Sequence, residues 1–121
     1  MRDQETTIHT LKEVVDNFCL ERNWDQFHSS KELAIGLITE SSELLEIFRF
    51  KTEEEVNDII KNPVKRTLIS EELSDILFFI LRFGQLYDFD LATAFEQKMK
   101  KNELNYPVEK CKNKNFKYSE Y

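Results

Sequence analysis

Apolar residues recur at intervals of three and four along most of this chain, the spacing of helices that bury one stripe. Ile8, Leu11, Val15 and Phe18 predict a first helix over residues 7 to about 22. The period breaks in a run that carries Trp24, Phe27 and His28, then resumes in a second helix to about residue 50, with Ser29 or Ser30 as its N-cap. That helix has Leu33, Leu37, Leu44 and Phe48 on its apolar face. Thr52 and Glu55 fit a capping box and open a short helix through Val56, Ile59 and Ile60. Beyond Pro63 a third long helix, about 64 to 87, is apolar almost all round from Ile76 to Phe83, so more than one neighbour must pack on it. Contact between subunits supplies such a neighbour. Asp88 or Asp90 caps a further helix to about residue 105, with Leu91, Phe95, Lys98 and Asn102 on its inward face. Tyr106-Pro107 ends it, which divides the chain into a helical domain, 1–107, and a Lys-rich tail, 108–121.

Composition agrees with an all-α chain. Two glycines and two prolines in 121 residues leave few turn signals for a β architecture. The length suits one domain and is short for a catalytic cleft unless helices or subunits share it. A net charge of -6 disfavours duplex nucleic acid as the main partner, because a phosphate backbone calls for a basic stripe. No apolar run approaches the roughly 20 residues of a membrane span. Cys19 and Cys111 lie far apart, outside any C-x-x-C and without a signal peptide, as in the reduced thiols of a cytoplasmic protein.

The candidate chemistry lies in Glu40-Ser-Ser-Glu43 and Glu72-Leu-Ser-Asp75. Stepping about 100° per residue puts Glu40 between Leu33 and Leu44, with Glu43 just to one side. The same arithmetic aligns Glu72 and Asp75 with Leu68, Phe79 and Leu86. Acids within an apolar stripe repel one another and lose hydration, so a divalent cation is the natural counter-charge. All-oxygen ligands favour Mg²⁺, with Mn²⁺ as the alternative, and Mg²⁺ commonly takes substrate phosphates into its shell. A di-iron site would need Glu-x-x-His, and neither His9 nor His28 stands three residues after a Glu. Beside a metal, Lys98 and Asn102 become candidate phosphate and nucleoside contacts. Trp24, Phe27 and Phe50 become candidate walls for a base, and His28, more readily read as a packing or capping histidine, joins the substrate-binding candidates.

Glu40-x-x-Glu43, Glu71-Glu72-Leu-Ser-Asp75 and Lys98-x-x-x-Asn102-x-x-x-Tyr106-Pro107 together resemble the MazG-like all-α nucleoside triphosphate pyrophosphatases, and within them the dCTP pyrophosphatase branch. The run Asn23-Trp24-Asp25-Gln26-Phe27-His28 and the ending Phe48-Arg49-Phe50-Lys51 are similar to that branch as well. The resemblance implies a four-helix-type bundle assembled as a homo-oligomer, dimer or dimer of dimers. It implies Mg²⁺ on Glu40, Glu43, Glu72 and Asp75, which also serve catalysis, and cleavage of a nucleoside triphosphate, dCTP-like or a modified pyrimidine, to monophosphate and pyrophosphate. Lys98 would contact phosphate, Asn102 and Tyr106 the nucleotide, and Trp24, Phe50 and Phe79 the base. Asn105 stands where the family usually has Arg or Lys, and Phe50 and Phe79 where the branch tends to have Trp and Tyr. The alternative is a non-catalytic helical module whose acids bind a structural cation or a basic partner.

Overall fold

A computed structural model describes all residues, Met1–Tyr121. The chain is helical without a β-strand, in two compact units, Met1–Asp88 and Phe89–Tyr121. The first unit holds α1 (Ile8–Glu21), α2 (Ser30–Phe48), α3 (Glu53–Lys61) and α4 (Pro63–Leu86). The second holds α5 (Leu91–Asn105) and the short α6 (Val108–Cys111). No helix is long and apolar enough to cross a membrane.

Polar side chains set the helix starts by accepting from an otherwise orphaned amide, the usual role of Ser, Thr, Asn and Asp at an N-cap. Thr7 accepts from Thr10 N at 3.1 Å, Ser29 from Glu32 N at 3.2 Å and Thr52 from Glu55 N at 3.2 Å. Asp90, rather than Asp88, caps α5 through Thr93 N at 3.0 Å. At α4 the proline is the first helical residue and Asn62 caps it, its Oδ1 accepting from Lys65 N at 3.1 Å. A proline loses nothing there, since that amide has no partner in a helix anyway.

The first unit is organised on α4, which packs against α1, α2 and α3. The α2–α4 approach is close at Gly36. A Cβ there would stand 2.8 Å from Phe79 Cδ1 and nearer still to Cε1 and Cζ, so glycine leaves the room that this ring edge occupies. The buried apolar side chains are Val15, Cys19, Leu33 and Leu81. The predicted all-round burial of α4 is not reached within one chain: Leu73 and Leu77 are exposed, as are Ile35, Ile38 and Leu45 on α2. In the second unit Phe95 and Lys98, placed on an inward face by their spacing, are exposed. The order there gathers instead on Tyr106, whose Oη accepts from Tyr118 N at 3.2 Å and whose ring meets those of Tyr118 and Tyr121.

Candidate active site

Glu40 lies on α2 and Glu72 on α4, facing each other where these two helices pack together. Ligand oxygens of Glu40, Glu43 and Glu72 lie within 4.8 Å of one another, close enough to share one cation. The acids divide into two kinds. Glu40 and Glu72 are half-buried, and Glu40 Oε2 and Glu72 Oε2 are sealed from solvent with no hydrogen-bond partner. Glu43 and Asp75 are exposed. A step of three residues falls about 60° short of a full helical turn, so in each motif the first acid enters the interface and the second lines its edge.

Electrostatics follow from that placement. Burial pushes the Glu40 carboxyl up to about 7, reinforced by the neighbouring carboxyls of Glu43, Asp75 and Glu72. Glu72 is raised for the same leading reason, burial, with Glu43 and Asp75 adding to it. No cation of the protein relieves them. The neighbouring hydroxyls are committed to their own helices: Ser41 donates to Leu37 O at 2.8 Å, Ser42 to Thr39 O at 2.6 Å and Ser74 to Ser70 O at 2.7 Å. Buried carboxylate oxygens lacking both donor and counter-charge are the donor set a hard dication fits.

Beside the acids lies a cavity of about 450 Å³, lined by Glu40 and Asp75 together with Val14, Val15, Phe18, Trp24, Phe78 and Phe79. Trp24, Phe18, Phe78 and Phe79 form a continuous edge-to-face chain of rings: 5.4 Å for Trp24–Phe18, 6.0 Å for Phe18–Phe78 and 5.3 Å for Phe78–Phe79. An aromatic cavity opening beside an acidic cluster suits a ligand with a flat apolar part and an anionic part that brings a metal.

Of the residues singled out in the sequence, Glu40, Glu43, Glu72, Asp75, Trp24 and Phe79 are thus together. His28 lies behind Trp24, ring to ring at 6.1 Å. Phe50 is 88% exposed, beside Arg49, whose guanidinium lies 4.5 Å from the ring centre, and at a backbone φ of 64°. Lys98, Asn102 and Tyr106 belong to the second unit.

A residue absent from the sequence reading is Arg82, the largest fully buried side chain. Its Nε donates to His28 Nδ1 at 2.9 Å, its Nη1 to Gln85 Oε1 at 2.6 Å and its Nη2 to Asp25 Oδ1, and Asp16 Oδ1 lies 3.7 Å from Nη1. The signal was available: a lone arginine in an apolar run has to be paired if it is buried.

A MazG-like family model matches residues 36–121, a span that contains all four acids. The chain belongs to the MazG-like family. It is 34% identical over 116 residues to dCTP pyrophosphatase 1 of Bos taurus, an alignment covering 96% of this chain and 69% of that protein. To dCTP pyrophosphatase 1 of Homo sapiens it is 33% identical, covering 96% of this chain and 68% of the relative. Among solved structures it resembles a pyrophosphatase from Archaeoglobus fulgidus with a TM-score of 0.78 and 27% identity, over 88% of this chain and 98% of that one. The all-α fold and the family resemblance read from the motifs are therefore borne out.

Proposed function

We propose that this nucleotide pyrophosphohydrolase uses Mg²⁺ to convert a (deoxy)nucleoside triphosphate, dCTP or a modified pyrimidine, to the monophosphate and pyrophosphate in the cytoplasm. The observation that carries the reading is the pair of sealed, partnerless oxygens, Glu40 Oε2 and Glu72 Oε2, beside an aromatic cavity. Glu40, Glu43, Glu72 and Asp75 would hold the ion. Bound Mg²⁺ supplies Lewis-acid neutralisation of phosphate charge and lowers the pKa of water. The chain's own part begins with the base, received among Trp24 and Phe79 and sheltered there from water by Phe18 and Phe78. With no polar atom on Phe79, the fit selects by stacking and shape. Water adds to the α-phosphorus, the bond from that phosphorus to the α–β bridging oxygen breaks, and pyrophosphate leaves. A carboxylate of the exposed pair, Glu43 or Asp75, takes the proton of that water.

Lys98 is assigned to phosphate, and Asn102 and Tyr106 to the nucleotide. Phe50 is assigned to the base, since a large ring held in solvent at positive φ gains most by being covered. The chain is assigned a homo-oligomeric state, in keeping with the apolar side chains that α2 and α4 leave exposed. The test is pyrophosphate release from a panel of canonical and modified deoxynucleoside triphosphates with Mg²⁺, with Glu43→Gln as control. Release by the wild type alone, with monophosphate as co-product, is expected. No release from any of them leaves a non-catalytic cation-binding module.

A further inference from the structure

We propose that Arg82 is a positioning residue for the nucleotide cavity: its buried guanidinium pins segment 23–28, and through that segment the Trp24 ring, against the cavity wall. The proposal rests on Trp24 being a wall of the substrate site, as read above.

Segment 23–28 has little of its own to hold it. It consists of Asn23 at a left-handed φ of 54°, then a single 3-10 turn, Asp25–Phe27, with no side-chain cap. Phe27 within it is 64% exposed and contributes little packing. Its other bonds are all short-range: Asn23 N to Leu20 O, Trp24 N to Cys19 O and Gln26 Nε2 to Asn23 O, each at 3.0 Å, and within the turn Phe27 N to Trp24 O at 2.9 Å and His28 N to Asp25 O at 3.3 Å. The long-range ties run to Arg82, 57 residues away from Asp25 and 54 from His28. They grip the turn at both ends, Asp25 at its start and His28 just past it.

Arg82 in turn is fixed. A buried guanidinium is tolerated only when its donors are met, and here Asp25, His28, Gln85 and the nearby Asp16 meet them from the 3-10 segment, α4 and α1. The contact defines the tautomer of His28. Arginine offers only donors, so Nδ1 must present its lone pair and the proton sits on Nε2. Burial, and secondarily the Arg82 charge, keep this imidazole neutral by lowering its pKa. Its ring supports Trp24 edge-to-face on one side while Phe18 supports it on the other. Arg82 thereby reaches the cavity without lining it: guanidinium to imidazole to indole. His28 acts as the spacer in that chain and serves substrate only through Trp24.

Replacing Arg82 itself would strand Asp16 and Asp25 and endanger the fold, so the test cuts the chain at His28. His28→Leu removes the acceptor. His28→Asn keeps an acceptor, Oδ1, near the place of Nδ1, and removes Nε2. Both are made in the full chain, and thermal midpoints establish that each is folded. Two readouts are taken: KM and kcat for pyrophosphate release from dCTP with Mg²⁺, and acrylamide quenching of the intrinsic emission without nucleotide, which Trp24 dominates as the sole tryptophan. His28→Leu should raise KM about tenfold, the factor carried by one lost hydrogen bond to a charged group, with kcat nearly unchanged and Trp24 more readily quenched. His28→Asn should restore both. Unchanged quenching and KM in His28→Leu would overturn the proposal. So would a His28→Asn enzyme with wild-type quenching and a KM as poor as the leucine variant, because Nε2 would then touch substrate directly. A wild type that releases nothing from dCTP, with quenching that responds as stated, would overturn the substrate reading and uphold the pinning of Trp24.

Discussion

A carboxylate with one oxygen shut away from water and no donor beside it holds its proton to unusually high pH. Glu40 is such a group, raised to about 7, and the sign of its effect on stability follows. Between the ordinary carboxylate range and that value the folded chain keeps a proton that the unfolded chain has released. The metal-free fold therefore loses stability as pH rises through that window and gains it as pH falls. In denaturant titrations, the metal-free wild type should have a higher midpoint near pH 5 than near pH 8, and Glu40→Gln should flatten that difference. Cation uptake near pH 7 should release protons, read as a dependence of the calorimetric heat on the buffer's ionisation enthalpy. The exposed partners behave differently. Glu43→Gln or Asp75→Asn should abolish Mg²⁺-dependent turnover yet leave the metal-free fold as stable or slightly more so, by about 0.2–0.5 kcal/mol per like-charge contact relieved. Retained turnover in either variant would remove that acid from the site.

Helices, not loops, place this chemistry, and most of what places the helices was legible in the sequence. Ser29, Thr52 and Asp90 are short polar side chains just ahead of periodic apolar runs, and each caps its helix. The acids were legible because they interrupt an apolar stripe. Their division into a sealed pair and an open pair was only half visible, since it depends on how deeply α2 and α4 interlock. That depth is set by Gly36, which periodicity treats as one more helical position. Gly36→Ala tests it. Alanine gains about 1 kcal/mol of helix propensity, but overpacking against Phe79 costs about 1–3 kcal/mol, so the urea midpoint should fall and KM for the nucleotide should rise while Mg²⁺ uptake persists. Arg82 was legible as a charge in an apolar run, but what pairs it was hidden. Its partners Asp16, Asp25 and His28 lie more than 50 positions upstream, and pairing at that range leaves no local period to read.

At the scale of the molecule, few apolar side chains are fully buried for a chain of 121 residues. Val15, Cys19, Leu33 and Leu81 are buried, whereas Ile38 and Leu45 on α2 are 70% and 67% exposed and Leu73 on α4 is 51% exposed. Ile35, Ile38 and Leu45 share one side of α2 by spacing, and Leu73, Leu77 and Ile80 one side of α4. A second copy that covers both stripes would complete the core. If a second copy covers these stripes, Ile38→Glu should lower the mass measured by light scattering and the thermal midpoint together; an unchanged mass would count against a second copy on this face.

The hydroxyls between the acids point to a last consequence. Ser41, Ser42 and Ser74 spend their protons on the carbonyls of their own helices. Alanine at any of the three would remove no bond on which the carboxylates depend. The two acidic motifs are thus exacting at their acids and permissive at Ser41, Ser42 and Ser74, and those serines are where a spectroscopic label could be carried within one turn of the reacting centre without altering it.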